Sequence, residues 1–433
     1  MKEKFIRSTI ILLIGGFITK ILGMVIKIVM SRMIGTEGLG LYMMILPTFS
    51  LFIGISQFGL PVALAKLVAE DNKNNKKLFF SVLPISVVIN IILIIIIILI
   101  SPILSSKLLH NSDTYYGILA IALVIPFTSI SSICRSYFFG KERMFPHVIS
   151  NILEDIVRLF LMIIFIPFFK NKGINYAVCF LILLNIVSEF ASIVILFLFL
   201  PKNISLKKND IVPSKNYIRE SLSIGIPNTT GRFIGSIGYF FEPIILTSVL
   251  LGVGYTSSFV TREYGVLSGY VMPLLLLPSF FTMAISQALL PIVSREYSSN
   301  RIDSVKKKIK QAIVLSLLIG IPVTIAFIIS PSLFLKLIYN TTEGISYMRI
   351  LAPFCLLQYI QAPISSCLDA MGKSVYSMRG TFYGMLVRTF LLFILSFLKI
   401  GLWGLIIAIV INVIVVTLYD LIKVRKLLSK SNI

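Results

Sequence analysis

Charge is what this chain has least of. Only 13% of its 433 residues are Asp, Glu, Lys or Arg, about half the share of a soluble domain, while 57% are hydrophobic. No polar stretch exceeds about 20 residues, which leaves no room for a separate soluble catalytic domain. There are two histidines, His110 and His147, no HExxH and no repeated aspartate motif. Metal or nucleophilic catalysis therefore lacks its usual ligands and bases. An enzyme is not expected, nor a cofactor, a metal or a nucleic-acid partner. The four cysteines (Cys134, Cys179, Cys355, Cys367) lie in or beside apolar runs without CxxC spacing, as ordinary buried thiols do.

What the chain has instead is apolar blocks long enough to cross a hydrocarbon core of about 30 Å. They fall at 8–31, 38–68, 78–101, 115–138, 146–168, 174–199, 221–250, 263–293, 310–336, 345–370, 374–398 and 401–423. The predicted fold class is all-α, a polytopic membrane protein of about 12 transmembrane helices. The opening "MKEKFIRSTIILLIGGFITK" mimics a signal peptide, but it has no small-x-small cleavage site and its apolar run continues past Lys20. It reads as an uncleaved first helix.

Lys and Arg number 40 against 18 acidic residues, a net charge of +22. Their placement is uneven: about 25 lie in alternate polar segments and about seven in the intervening loops, the asymmetry that marks cytoplasmic segments. The cationic segments are the N-terminus, 70–77, 141–143, 202–219, 295–310, Lys373 with Arg379, and the tail from Lys423. Both termini are thus expected in the cytoplasm and the protein in the cytoplasmic membrane, which requires an even number of spans.

The segment 200–219, rich in Pro, Asn and Lys, lies near the middle of the chain and reads as a cytoplasmic linker. It would join an N-terminal six-helix lobe, 1–199, to a C-terminal one, 220–433. Internal similarity supports a duplication. Residues 56–62 read SQFGLPV and 286–292 read SQALLPI; upstream stand Leu46-Pro47-Thr48-Phe49 and Leu277-Pro278-Ser279-Phe280. Ile6-Arg7 and Ile218-Arg219 align at an offset that also superposes Lys20 on Arg232 and Gly23 on Gly235. Six spans per lobe keep both copies the same way up, so the lobes are expected to form a parallel repeat. Pro47 with Pro61, and Pro278 with Pro291, are expected to interrupt the second and eighth helices.

Charges inside apolar blocks cost a few kcal/mol each at mid-bilayer unless they face a polar interior. In the first helix Gly16, Lys20, Gly23 and Lys27 form one stripe, and Thr229, Arg232, Gly235 and Tyr239 repeat it in the seventh. Lys20 and Arg232 are read as cavity-facing, while Lys27 fits a cavity or snorkelling to the interface equally well. Glu154, Asp155 and Arg158 read as a structural ion pair. Glu242 fits either a partner of Arg232 or a proton or ion site. Arg349, Gln358, Gln361 and Asp369 put polarity into the tenth helix and Arg388 into the eleventh, where packing is the alternative to substrate contact. The candidate substrate-binding set is Lys20, Lys27, Arg232, Glu242, Arg349, Gln358, Gln361 and Arg388.

The stretches "ILGMVIKIVMSRMIGTEGLGLYMMILPTFSLFIGISQFGLPVALAKLVAE", "TTGRFIGSIGYFFEP", "REYGVLSGYVMPLLLLPSFF" and "APFCLLQYIQAP" resemble the stage V sporulation protein B group. That group belongs to the polysaccharide and oligosaccharidyl-lipid exporter superfamily, with the lipid II flippases and the multidrug and toxin extruders. The resemblance covers nearly the whole chain. It implies a flippase for an undecaprenyl-pyrophosphate-linked sugar, most simply lipid II for spore cortex synthesis, with a lipid-linked oligosaccharide and membrane lipids as partners and a coupling ion or proton unassigned. Lys20 matches a cationic cavity position of lipid II flippases. The chain departs from them in having no Lys or Arg at 39–65 or 264–294, where they carry arginines. Their two extra C-terminal helices have no counterpart after the twelfth block.

The rival readings are a drug or cation extruder of the same fold, which would want carboxylates where this first helix has lysines, a membrane transferase, and a non-transporting scaffold for cell-wall synthesis. The topology has a direct check. A cysteine placed at His110 should be labelled by an impermeant reagent in intact cells and one at Lys208 should not; the reverse pattern ends the twelve-helix reading.

Overall fold

The computed structural model of the protein describes residues 2–70, 73–200 and 208–430, and the side chains among them other than those of residues 2–10, 13, 208, 209, 228, 230–232, 234 and 430. All regular structure among the described residues is helical. In chain order the elements are α1 (Lys2–Gln57), α2 (Leu60–Val68), α3 (Asn75–Ile103), α4 (Tyr115–Gly140), α5 (Met144–Lys170), α6 (Ile174–Leu198), the single turn α7 (Lys208–Ile211), α8 (Lys215–Gly252), α9 (Ser257–Gly265), α10 (Met272–Leu275), α11 (Ser279–Ser298), α12 (Ile302–Ile329), α13 (Pro331–Tyr339), α14 (Ile345–Ala370), α15 (Ser374–Ser396) and α16 (Trp403–Lys430).

Nine helices among the described residues are long and apolar enough to cross a membrane, and the pair Ser257–Leu275 with Ser279–Ser298, bent by 51°, makes a tenth span. Two more follow from local chemistry. The long α1 is divided at Gly35, whose φ of 70° and ψ of −175° only glycine adopts freely. The 27-residue α5 is long enough but carries Glu154, Asp155 and Arg158 in its middle. The twelve expected spans are thus all present as helical rods.

Contacts divide the chain into two compact units, Met1–Phe240 and Phe241–Ile433, with the boundary inside α8. In the first unit the start of α8 packs on the break between α1 and α2. Phe58 and Gly59 both have positive φ there, and Pro61 restarts the helix. The backbones nearly touch: a Cβ on Gly59 would sit 2.4 Å from the carbonyl oxygen of Gly225, and one on Gly225 2.6 Å from that of Phe58. The segment before α8 is tied to the same unit. Asn74, which caps α3 by accepting from the Lys76 and Lys77 amides, donates to Asp210 at 2.9 Å, and the Ser214 amide donates to Ser81 Oγ at 2.9 Å.

The second and eighth spans are each interrupted once, at different members of the paired prolines. Pro47 is accommodated inside α1, and the break comes at Phe58–Gly59. In the second unit Pro291 is accommodated inside α11, and the break comes at Leu276–Pro278. Hydroxyls from a neighbouring helix take backbone carbonyls in both spans, at the break in the first and within α11 in the second. Ser129 Oγ of α4 donates to the Ser56 carbonyl at 3.1 Å, and Ser366 Oγ of α14 donates to the Ser286 carbonyl at 2.9 Å. Ser56 and Ser286 are the matched serines of the two SQxxLP segments. At the second break the Ser279 amide turns to Leu276, and the fully buried Tyr359 hydroxyl takes the Leu275 carbonyl at 2.5 Å. Gly320 makes room for that ring, since a Cβ there would lie 2.7 Å from it.

Gly59→Ala combines a left-handed backbone with a backbone clash and should cost about 2 kcal/mol or more. Gly54→Ala meets nothing within 4 Å and should be near neutral. Thermal unfolding of the purified variants in detergent compares the two directly.

Candidate functional site

Lys20 and Lys27 are both exposed, two helical turns apart on the first arm of α1. The glycines that alternate with them, Gly16 and Gly23, have nothing within 4 Å of where a Cβ would be, and neither has Gly235 of α8. The stripe read from the sequence is therefore an open face of the first unit. The same arm is held elsewhere by close packing on α5, where Gly15 meets Val148. The expected partner Arg232 lies in α8, but its side chain is outside the described residues.

The second unit brings two of the candidates together. Glu242 of α8 is 6% exposed, and its Oε2 is ion-paired with Arg388 Nη2 of α15. Its Oε1 accepts from the buried hydroxyl of Tyr264 in α9 at 3.3 Å. A carboxylate buried to this degree needs a counter-charge and donors, and it has both. The guanidinium is the ion-pair partner found for Glu242 among the described residues.

Arg349 does not join them. It is exposed in the first turn of α14, and its Nε donates to the Ile328 carbonyl at 3.2 Å, in the last turn of α12. A cation on orphan C-terminal carbonyls is a helix-capping arrangement. Gln358 and Gln361 are half-buried at mid-length in α14 and make no hydrogen bond with the protein among the described residues. Asp369 is exposed at the end of α14. Asp420 of α16, fully buried, accepts from Ser365 Oγ at 2.5 Å, and its Oδ1 has no hydrogen-bond partner.

The first unit holds a larger charged cluster than the sequence suggested. Glu154 pairs with Arg158, as its one-turn spacing implies, and Asp155 Oδ1 lies 3.3 Å from Arg158 Nη1. Arg135 of α4 and Glu189 of α6 complete it. Arg135 Nη2 contacts Glu154 Oε2 at 2.7 Å and also Glu189 Oε2, and its Nη1 donates to Asn151 Oδ1 at 2.8 Å. Both added residues were visible as charges inside apolar blocks. Their convergence was not, because it depends on how three helices rotate about their axes. Beside the cluster lies a cavity of about 670 Å³ lined by Lys66, Ser132, Arg135, Ser136, His147 and Asn151, among others.

A family model described as polysaccharide biosynthesis protein matches residues 5–297, and one described as MatE matches residues 243–394. Stage V sporulation protein B of Bacillus subtilis (strain 168) is 36% identical over 442 residues, covering 99% of this chain and 85% of that protein. The lipid II flippase MurJ of the same organism is 22% identical, covering 75% of this chain and 64% of its own length. Among solved structures, an inward-facing multidrug resistance MATE family transporter of the MOP superfamily aligns over 96% of this chain and 95% of that one, with a TM-score of 0.78 at 17% identity. That last likeness is one of fold.

The Glu242–Arg388 pair has a measurable consequence. Arg388→Ala strands a buried carboxylate and should cost about 3–5 kcal/mol, whereas Glu242→Gln with Arg388→Met removes both charges and should cost much less. A double-variant cycle on thermal unfolding separates these, and equal losses would show the pair to be energetically idle.

Proposed function

The chain belongs to the polysaccharide biosynthesis protein family, and on that premise we propose that it flips an undecaprenyl-pyrophosphate-linked sugar across the cytoplasmic membrane, in the simplest case lipid II for spore cortex synthesis. A multi-pass membrane flippase or exporter is what its family and fold amount to. The narrower assignment is supported by two relatives, a stage V sporulation protein and a lipid II flippase.

The observation that carries it is the open lysine face of α1. An exposed lysine within a membrane-spanning helix cannot face hydrocarbon without a cost of a few kcal/mol. Lys20 and Lys27 are exposed on a face bordered by glycines with open space where a Cβ would be. Such a face lines water, and a cationic water-filled space takes an anion. The cargo's physics agrees: a diphosphate bearing a hydrophilic glycan cannot cross lipid, while its polyprenyl tail never has to leave it. Two six-helix lobes rocking about a cavity open sideways to lipid would pass the head group and leave the tail outside. In this mechanism Lys20, with Arg232, holds the diphosphate. Lys27, Gln358 and Gln361 offer further polar contact, and Glu242 with Arg388 orders the second unit. Both termini lie in the cytoplasm.

Charge-assisted hydrogen bonds to the diphosphate are worth about 1.5–3 kcal/mol each, and about 1.4 kcal/mol is tenfold in binding. Lys20→Ala and Arg232→Ala should therefore each slow transport roughly 10- to 100-fold, Lys20→Arg less, and the double alanine variant should insert normally yet be nearly inactive. The assay is reconstitution in liposomes with fluorescent lipid II beside teichoic and capsular lipid intermediates. Wild-type rates from a normally inserted double variant would falsify the cationic-cavity mechanism, and preference for another intermediate would reassign the cargo.

A further inference from the structure

The five-charge cluster in the first unit plays no part in holding a diphosphate in the mechanism above, and its charges do not balance. It contains three carboxylates, Glu154, Asp155 and Glu189, and two guanidinia, Arg135 and Arg158. The neighbours that face it are neutral or hydroxylic: Tyr42 of α1 beside Arg158, Ser131 of α4 under the Arg135 guanidinium, Ser188 of α6 at 3.4 Å from Arg158, and His147 of α5 beside Arg135. With His147 neutral, the cluster carries one negative charge that no cation among the described residues compensates. Glu154 and Glu189 are each 7% exposed, and a buried net charge at this depth is costly.

The geometry also distinguishes the carboxylates. Glu154 is held at both oxygens, by Arg135 at one and Arg158 at the other, and Asp155 has Arg158. Among the described residues Glu189 has Arg135 as its one ion-pair partner, and it shares the same nitrogen, Nη2, with Glu154. Two carboxylates on one guanidinium nitrogen repel each other, and the one with the smaller share of positive charge takes a proton first. Arg135 is in turn part of the lining of the cavity of about 670 Å³, with His147 and Asn151. A proton carried by water in that cavity reaches the cluster at Arg135's edge.

We propose that Glu189 is a proton-exchange site of the first unit, protonated to the carboxylic acid when the Glu154–Arg135–Arg158–Asp155 chain is neutral and releasing that proton to water in the cavity beside Arg135. A buried carboxyl that takes up and gives off one proton is what a pH gradient needs in order to drive a carrier. The site belongs to the protein whatever lipid is moved, so its test needs no substrate.

The full-length chain in nanodiscs, followed by infrared spectroscopy during a pH titration, should show a protonated-carboxyl stretching band that disappears as pH rises. Glu189→Gln should remove that band, and His147→Asn should keep it. Glu154→Gln removes the carboxylate that shares Arg135 Nη2 with Glu189. It should move the band's midpoint to lower pH, which serves as the check if Glu189→Gln folds poorly. In liposomes carrying fluorescent lipid II, an imposed pH gradient should change the wild-type rate several-fold and leave Glu189→Gln unaffected, while gradient-free flipping persists. A titrating band that survives in folded Glu189→Gln, or that vanishes in Asp420→Asn or His147→Asn instead, overturns the proposal. So does a Glu154→Gln midpoint that does not move. If wild-type protein moves no lipid II under any condition, the lipid assignment fails and the infrared result still decides the proton site.

Discussion

Everything in this molecule answers to one constraint: within hydrocarbon a backbone carbonyl that loses its helical partner finds no water to replace it. The chain breaks two of its spans, and at each break it supplies a hydroxyl. Ser129 reaches the Ser56 carbonyl at the first break, and Tyr359 reaches the Leu275 carbonyl at the second, where the span bends by 51°. Ser366 reaches the Ser286 carbonyl within α11. Since Ser56 and Ser286 are matched residues of the SQxxLP segments, that hydrogen bond recurs where the sequence does.

Hydropathy made much of this legible. The block 345–370 coincides with α14, and 174–199 differs from α6 by a single residue. Discrepancies arise where helix and hydrocarbon part company. The expected 310–336 is in fact α12 from Ile302 and α13 from Pro331, because the Lys-rich turn 306–310 is helical outside the apolar run and Pro331 starts a new helix. The expected 38–68 is continuous in hydropathy, yet Phe58 and Gly59 break it without a change in polarity. Hydropathy measures transfer into lipid and is blind to backbone conformation.

The candidate site was legible in part for a related reason. A charge in an apolar block announces itself, so Lys20, Glu242 and Arg388 could be singled out one at a time. Pairing could be read only within a helix, as for Glu154 with Arg158 one turn on. Partners across helices depend on axial rotation, which hydropathy does not encode when helices are apolar nearly all round. That is why Glu242's pairing with Arg388, 146 positions away in the chain, and Glu189's with Arg135 emerged only from the fold. Arg349 shows the converse: it is as conspicuous in sequence as Arg388, yet it caps a helix end.

The two units solve the burial of charge differently. At Glu242 the second sets one carboxylate against one guanidinium and adds the Tyr264 hydroxyl, a balanced arrangement that ties α8, α9 and α15 together, while its buried Asp420 is met by the Ser365 hydroxyl and leaves Oδ1 without a partner. The first gathers an odd number of charges beside a cavity and leaves the lysines of α1 on an open face. Balanced burial favours a rigid frame, and unbalanced burial persists only if something mobile, a proton or an anionic ligand, completes the count. If the two halves descend from one sequence, their backbone capping has been kept in both while the charges have been redistributed. The larger unbalanced cluster lies in the first unit, where an exchangeable proton would complete the count.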